Sequence, residues 1–566
     1  MTSTRDQAYT ACLRFFAELK ALGVTDAVVS PGSRSTVLAL SAMAADLRIT
    51  VHHDERVAGF HALGAARSTR RPVVLICTSG TAAANYHPAV IESHHAGVPL
   101  IVCTSDRPPE LRSWGAGQTV DQVKIFGSST RWYHETPVGD DIDERHAGVL
   151  ALRAHDHATV GAGPVHLNWP FREPLQPSGP LVAPEPRLAP PVPAHSAASA
   201  VLRGLATDHE RGLVVVGPYD LPRDVADEIA AFAQAAGWPV VADPASGLRA
   251  GVASTAPVLV STAELVLGVP DFTASIGAPD VVVRVGLSPT SKAYRMWLEA
   301  HPPARLVLVD PAADWSDPTD SVTEVVPGPI AGLFAGAPPE SRTSEWTKRW
   351  AAAEHAAADV ARNWAAADPG ELGIVARLIE QMAASGQALN LVVSNSMPVR
   401  DLDFTLRPTP APIRVLANRG ANGIDGIIAT ALGVASTSDD HTYVLLGDVA
   451  TVHDLGGLAA VPRLGISSMT VVVIDNDAGG IFSILPVRQA IPEAAFDQLF
   501  STPHGTDLPA IGRAMGFAVT AIAEDGRVDQ ADDADGRPRL IVVRTTVEAM
   551  TGGVAALRAA VADAFR

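Results

Sequence analysis

Lysine is scarce in this chain: Lys20, Lys124, Lys292 and Lys348 are four of 43 basic residues, and the rest are arginine. With alanine so abundant, this skew reflects composition more than function, though it makes each lysine slightly more informative. Cysteine is scarcer still (Cys12, Cys77 and Cys103), with no Cys-x-x-Cys pair. Cys77 and Cys103 end apolar strand-like runs, where buried free thiols are common, and a reducing cytoplasm is the expected compartment. Aromatics reach only 5%. No apolar run approaches the ~20 residues of a membrane span, and MTSTRDQAYT at the N-terminus lacks the apolar region of a signal peptide. Positive charge is in deficit, with a net charge of -18, which disfavours nonspecific binding to nucleic acid or to a membrane.

What is present is length and small apolar residues. A chain of 566 residues is too long for one core and is expected to form about three domains. Its 47% hydrophobic content, rich in Ala, Val and Leu, suits helices stacked on parallel strands. Residues 6–22 show helical periodicity ending at Gly23, and apolar strand-like runs alternate with polar turns and helices as far as GPVHLNWPF at 163–171. Eight prolines between 174 and 193 form an extended linker. A second α/β unit starts at GLVVVGPYD (212–220), and a Gly/Pro/Ser-rich stretch at 328–345 precedes a helix near 346–366. The third unit carries NLVVSNS, IRVLANRG, TYVLLGD, MTVVVIDND and RLIVVRT. The expected fold is α/β, with three doubly wound parallel-sheet domains over residues 1–180, 195–345 and 346–566.

In open parallel sheets ligands sit beyond the carboxyl ends of the strands. That singles out Gly447-Asp448 and Asp475-Asn476-Asp477, which both follow apolar strands and lie one helical crossover apart. A carboxylate, an amide oxygen and a nearby backbone carbonyl make a hard-oxygen site suited to Mg²⁺ completed by phosphate and water. A helix starting after Asp448 would favour a diphosphate. The same polar strand ends also occur in ordinary βαβ units. His52-His53-Asp54-Glu55 looks at first like a metal site. Adjacent residues on an extended segment point to opposite faces, however, so His52, His53 and Asp54 read as partly exposed strand-end residues. Glu55 could equally be an acid at a helix N-terminus.

Taken together, Glu55, TSGTAAAN and the GD…DN pair resemble the thiamine diphosphate enzymes. SPGSRS (30–35), SDRPPELRSWGAGQTVDQ (105–122), GPVHLNWPFREPL (163–175), NSMPVRD (395–401), NRGANGIDG (418–426) and GGIFSILP (479–486) look like the menaquinone-pathway branch of that family. Two departures stand out: the usual metal motif opens Gly-Asp-Gly and closes Asn-Asn, whereas here it reads Gly447-Asp448-Val449 and Asp475-Asn476. Asp475 adds a charge that could compete for the metal.

The resemblance implies a cytoplasmic transferase that uses thiamine diphosphate and Mg²⁺ (or Mn²⁺) to join a unit from 2-oxoglutarate to isochorismate. It implies a pyrimidine-binding first domain, a central domain and a diphosphate-binding last domain, in a homodimer or homotetramer with sites between chains. Glu55 would hydrogen-bond the pyrimidine N1′, and Ile424 would be the apolar wedge that bends the cofactor. Asp448, Asn476 and the carbonyl near Ala478 would hold the metal. Ser33, Arg34, Arg107, Gln118, Lys292, Ser396, Arg400 and Arg419 would bind the polyanionic substrates, with Ile481 and Phe482 as an apolar wall. Two other readings remain open on the residues. One is a different thiamine diphosphate-dependent 2-oxoacid decarboxylase or carboligase, and the other is a noncatalytic metabolite sensor on the same fold.

Overall fold

The computed structural model describes residues 4–138, 141–187, 198–251, 258–335, 344–522 and 536–566. The domain boundary expected at residue 195 lies outside the described residues, as do the last residues of the proline-rich linker. The architecture is α/β: three six-stranded, all-parallel sheets with flanking helices.

The first sheet holds β1 (Asp26–Val29), β2 (Arg48–Val51), β3 (Val73–Cys77), β4 (Leu100–Asp106), β5 (Trp132–Glu135) and β6 (Pro164–Pro170), in the order β2-β1-β3-β4-β6-β5. The second holds β7 (Gly212–Val216), β8 (Val240–Ala242), β9 (Leu259–Val260), β10 (Val281–Val285), β11 (Arg305–Val309) and β12 (Glu324–Val326), in the order β12-β11-β10-β7-β8-β9. The third holds β13 (Leu389–Val393), β14 (Ile413–Ala417), β15 (His441–Gly447), β16 (Met469–Asp475), β17 (Ala518–Ile522) and β18 (Arg539–Arg544), in the order β14-β13-β15-β16-β18-β17. The first and third sheets therefore share one strand order and the middle sheet has another. Interior strands such as β3, β4 and β16 are buried along their whole length. Helices cover both faces of such a strand, so its sequence is a continuous apolar run rather than an alternating one.

Strand order locates the crevices. A ligand cleft opens where neighbouring strands send their crossovers to opposite sides. In the first sheet that point lies between β1 and β3, and in the third between β13 and β15. The residues that follow those four strands are Ser30, Thr78, Ser394 and Asp448, the last already opening a helix.

The chain divides into two compact units. One comprises residues 1–194 with 420–438 and 456–460. Within it the helix Glu55–Thr69 lies against the helix Ile427–Ala435 so closely that glycine is required at the crossing. A Cβ added at Gly64 would sit 1.9 Å from the Thr430 carbonyl oxygen, and one added at Gly433 would sit 2.1 Å from that of His61. Gly64→Ala should therefore destabilise the protein by at least the ~1–3 kcal/mol typical of overpacking, read as a lower midpoint in thermal unfolding. An unchanged midpoint would mean the two helices separate freely. The other unit comprises residues 195–419, 439–455 and 461–566. There, one apolar core joins Leu213 and Val282 of the middle sheet to Trp350 of the helix Glu345–Ala367 and Leu557 of the helix Val547–Ala564. All three cysteines are buried free thiols, and none of the described helices is long and apolar enough to cross a membrane.

Candidate active site

In the first unit, the crevice between β1 and β3 gathers three of the expected motifs. Gly32 of SPGSRS packs so tightly on the turn after β3 that an added Cβ would lie 2.3 Å from Thr78 Cβ. The Ser79 hydroxyl donates to the Gln118 carbonyl at 2.9 Å, and the Gly80 N–H donates to Gln122 Oε1 at 2.8 Å. Gln122 is fully buried and also donates to the Ser105 carbonyl and to Asn168 Oδ1, tying the ends of β3, β4 and β6 together. Gln118 itself has a left-handed backbone (φ 53°) and an exposed side chain, and Ser33 is exposed. Arg107 folds its loop back by donating to the Gly117 carbonyl at 3.1 Å. Arg34 is buried; it donates to the Phe171 carbonyl at 3.1 Å and pairs with Glu173 at 2.9 Å.

Glu55 opens the helix Glu55–Thr69 and is half-buried, and it is Asp54 that caps the helix by accepting the Arg56 N–H at 2.9 Å. The Arg56 side chain bonded to Asp54 holds that carboxyl below its ordinary pKa. Burial drives the Cys77 thiol and Tyr86 phenol upward, and the Glu55 charge adds to both shifts. One expectation is corrected: His52 is not partly exposed but buried, its ring 4.8 Å from that of His61. Ile424 lies half-buried in the loop before the helix Ile427–Ala435. Buried Glu92 anchors this loop by accepting the N–H groups of Gly420 (2.9 Å) and Ala421 (2.6 Å).

In the second unit, Asp448 directly follows β15 at the crevice of the third sheet and is 3% exposed. The Ala478 N–H reaches both Asp448 Oδ2 (3.2 Å) and Asn476 Oδ1 (3.1 Å), so these two oxygens converge across the crossover that separates them in sequence. Asp448, Asp475 and His504 also bring ligand atoms within 4.8 Å of one another. The His504 Nε2 stands 3.4 Å from Asp448 Oδ2, while its Nδ1 accepts the Thr506 N–H at 3.0 Å. Asn476 Nδ2 donates to Glu371 Oε1 at 3.0 Å. Burial raises the Asp448 pKa, with the Asp475 charge adding to it. It also pushes Glu371 up to about 7, against the lowering effect of the Asn476 hydrogen bond. Asp401, fully buried nearby, is raised as well, first by burial and then by the Glu371 charge. Carboxyl groups crowded out of water in this way are a setting that a divalent cation relieves, and the converging carboxylate and amide oxygens are the donors Mg²⁺ prefers. The residues fit such an ion.

The remaining candidates lie around these strand ends. Ser396 has a left-handed backbone (φ 71°) at the start of the helix Met397–Thr405, and its carbonyl accepts the Arg400 guanidinium. Burial lowers the pKa of Arg400. Arg419, just past β14, donates to Asn395 Oδ1 at 2.7 Å, and Asn395 Nδ2 donates to the Asn418 carbonyl at 2.6 Å. Ile481 and Phe482 are half-buried in the turn Gly480–Ile484, with the Phe482 ring 5.5 Å from Phe500. Lys292 is exposed as the first residue of the helix Lys292–Ala300, whose start is held by Glu264 through Ser291 Oγ (2.8 Å) and the Ala293 N–H (2.9 Å).

Sequence reasoning passed over Glu371, Asn395 and His504. Glu371 shares a helix face with Ile374, Leu378 and Met382, but an acid is ordinary in the first turn of a helix, which masked that signal. His504, one of 18 histidines, carried none.

Residues 13–125 match the thiamine pyrophosphate enzyme N-terminal TPP binding domain, and residues 201–389 match the middle domain of thiamine pyrophosphate enzymes. With three parallel sheets and a converging acid–amide pair at the third, the chain belongs to the thiamine diphosphate enzymes. It is 40% identical to a 2-succinyl-5-enolpyruvyl-6-hydroxy-3-cyclohexene-1-carboxylate synthase from Chloroflexus aurantiacus, over 93% of this chain and 92% of the relative. Identity is 39% to the synthase of that name from Haloquadratum walsbyi (87% of each chain) and 41% to the one from Geobacillus kaustophilus (86% and 85%). Within the thiamine diphosphate enzymes the chain belongs to the 2-succinyl-5-enolpyruvyl-6-hydroxy-3-cyclohexene-1-carboxylate (SEPHCHC) synthase family.

Proposed function

We propose that this protein releases CO₂ from 2-oxoglutarate and adds the remaining succinyl unit to isochorismate, giving SEPHCHC in menaquinone biosynthesis. The observation that carries the reading is the convergence of Asp448 Oδ2 and Asn476 Oδ1, in a chain whose relatives bear that product's name. Bound thiamine diphosphate supplies the nucleophilic carbon and the electron sink. The chain supplies position and charge. Asp448, Asn476 and the Ala478 carbonyl would hold Mg²⁺ (or Mn²⁺), which would offset the charge of the diphosphate. Glu55 would hydrogen-bond the pyrimidine N1′ and exchange a proton there, and Ile424 would offer the cofactor apolar surface.

Both substrates are polyanions, and fixed guanidinium groups suit carboxylates. Arg400, in the helix Met397–Thr405, and Arg419, just past β14, are held by Ser396 and Asn395, so little side-chain entropy remains to be lost when they bind a carboxylate. Arg34, Arg107, Lys292, Ser33, Gln118 and Ser396 complete the polar lining, with Ile481 and Phe482 as the apolar wall. The reading also takes in three domains (1–180, 195–345 and 346–566), a cytoplasmic location, and a homodimer or homotetramer with sites formed between chains.

Incubation with Mg²⁺, thiamine diphosphate, 2-oxoglutarate and isochorismate, followed by mass detection, should show the adduct only when both substrates are present. CO₂ release without adduct would indicate a simple 2-oxoacid decarboxylase, and no turnover at all would indicate a binding protein. The shared site has its own test. When Glu55→Gln and Asp448→Ala chains, each inactive alone, are mixed and allowed to exchange, half the dimers are mixed and each contains one intact site. Activity should return to about a quarter of wild type. No recovery, with exchange confirmed by native mass spectrometry, overturns the shared site.

A further inference from the structure

We propose that Glu371 is a positioning residue for the cation site: it accepts the Asn476 Nδ2–H and so keeps Asn476 Oδ1, not the amide nitrogen, turned toward the ion. The inference rests on the assignment of Asn476 as a ligand. An asparagine amide is nearly symmetric in shape, but only its oxygen can bind a cation, so a half-turn about the side chain abolishes the ligand. Two neighbours oppose that half-turn. The Ala478 N–H, shared between Asn476 Oδ1 at 3.1 Å and Asp448 Oδ2 at 3.2 Å, favours an oxygen on the side that faces it, while Glu371 Oε1 offers an acceptor to Nδ2 at 3.0 Å. Flipping the amide would set nitrogen against N–H and oxygen against carboxylate.

The position of Glu371 supports this role. It is 3% exposed, at the first turn of the helix Glu371–Ala384, where its neighbours on the same face enter the apolar core. A carboxyl group there costs desolvation that an apolar residue of the same shape would avoid, and the ~0.3–1 kcal/mol that an acid gains in the first turn of a helix offsets only part of it. The hydrogen bond to Asn476, which lies 105 residues away in sequence, explains the carboxyl group. Outer partners of metal ligands act in this way, and their loss typically weakens metal binding by roughly 10–100-fold.

The test titrates Mg²⁺ into the full-length protein with thiamine diphosphate present, following cofactor binding by tryptophan fluorescence. Glu371→Met and Glu371→Asp, which withdraw the acceptor, should raise the Mg²⁺ concentration needed by roughly 10–100-fold. Glu371→Gln, whose Oε1 still accepts, should stay close to wild type. Thermal unfolding without Mg²⁺ establishes that each variant folds, and Glu371→Asp carries the test if the apolar variant does not. A role in packing alone predicts the reverse order, with Met tolerated and Mg²⁺ dependence unchanged. Wild-type Mg²⁺ dependence in the Met or Asp variant, or a Gln variant as damaged as Met, overturns the proposal. Asn476→Ala separates the two levels: if it too leaves Mg²⁺ dependence untouched, the ligand assignment is what fails.

Discussion

Glu55→Gln should leave thiamine diphosphate bound yet slow exchange of its C2 proton by roughly 10²–10⁴-fold, the usual contribution of a positioned acid–base group. Glutamine keeps the size of the side chain and an acceptor oxygen but cannot take or return a proton, so the substitution isolates that function. The local structure favours a clean result. Asp54 already caps the helix and pairs with Arg56 at 2.7 Å, so the Glu55 carboxylate is not needed to start it. Folding should be little disturbed. The exchange is read as deuterium loss at C2 after acid quench, with binding followed separately by fluorescence. Wild-type exchange in the variant would remove Glu55 from the chemistry.

Asp448→Ala should weaken cofactor binding by at least ~100-fold, the upper end of what loss of an outer partner costs, since Asp448 would touch the ion directly. What remains should be insensitive to added Mg²⁺. The chain without cofactor should be at least as stable as wild type, because Asp448 and Asp475 are buried together and removing one relieves the other. Loss of binding without loss of stability in one variant distinguishes a ligand from a structural residue. Calorimetry with and without Mg²⁺ measures the first, and thermal unfolding of the apo-protein the second. Unchanged affinity with unchanged metal dependence would sink the assignment.

The interior of each sheet was legible in the sequence and the edges largely were not, for a physical reason. VVLIC, LVLV and MTVVVID lie on interior strands covered by helices on both faces, and burial on both sides demands unbroken apolar runs. The edge strands β2 (RITV) and β5 (WYHE) are half-exposed along their length, and β9 is only two residues long. Segments this short show no period, even with β-branched residues in β2 and aromatics in β5. The edge strand β14 (IRVLA) was readable because all but Arg414 of it is buried. The candidate site divides the same way. Asp448 and Asn476 were marked by the apolar strands they follow, whereas Glu371 and His504 reach them from elements 77 and 56 residues from Asp448 in the chain. No local pattern announces a contact made at that distance.

The glycine crossing between the helices Glu55–Thr69 and Ile427–Ala435 also bears on how the protein is made. The first compact unit takes in residues 420–438, so its inventory is incomplete until the ribosome has passed the whole middle sheet. At about 5–20 residues per second, the stretch between residues 194 and 438 takes roughly 10–50 s to synthesise. Throughout that interval the nascent chain displays the small-residue stripe around Gly64, shaped to receive a backbone that does not yet exist. A gene fragment ending in the proline-rich linker would leave that stripe open permanently, and its product should need a holding chaperone where the full chain does not.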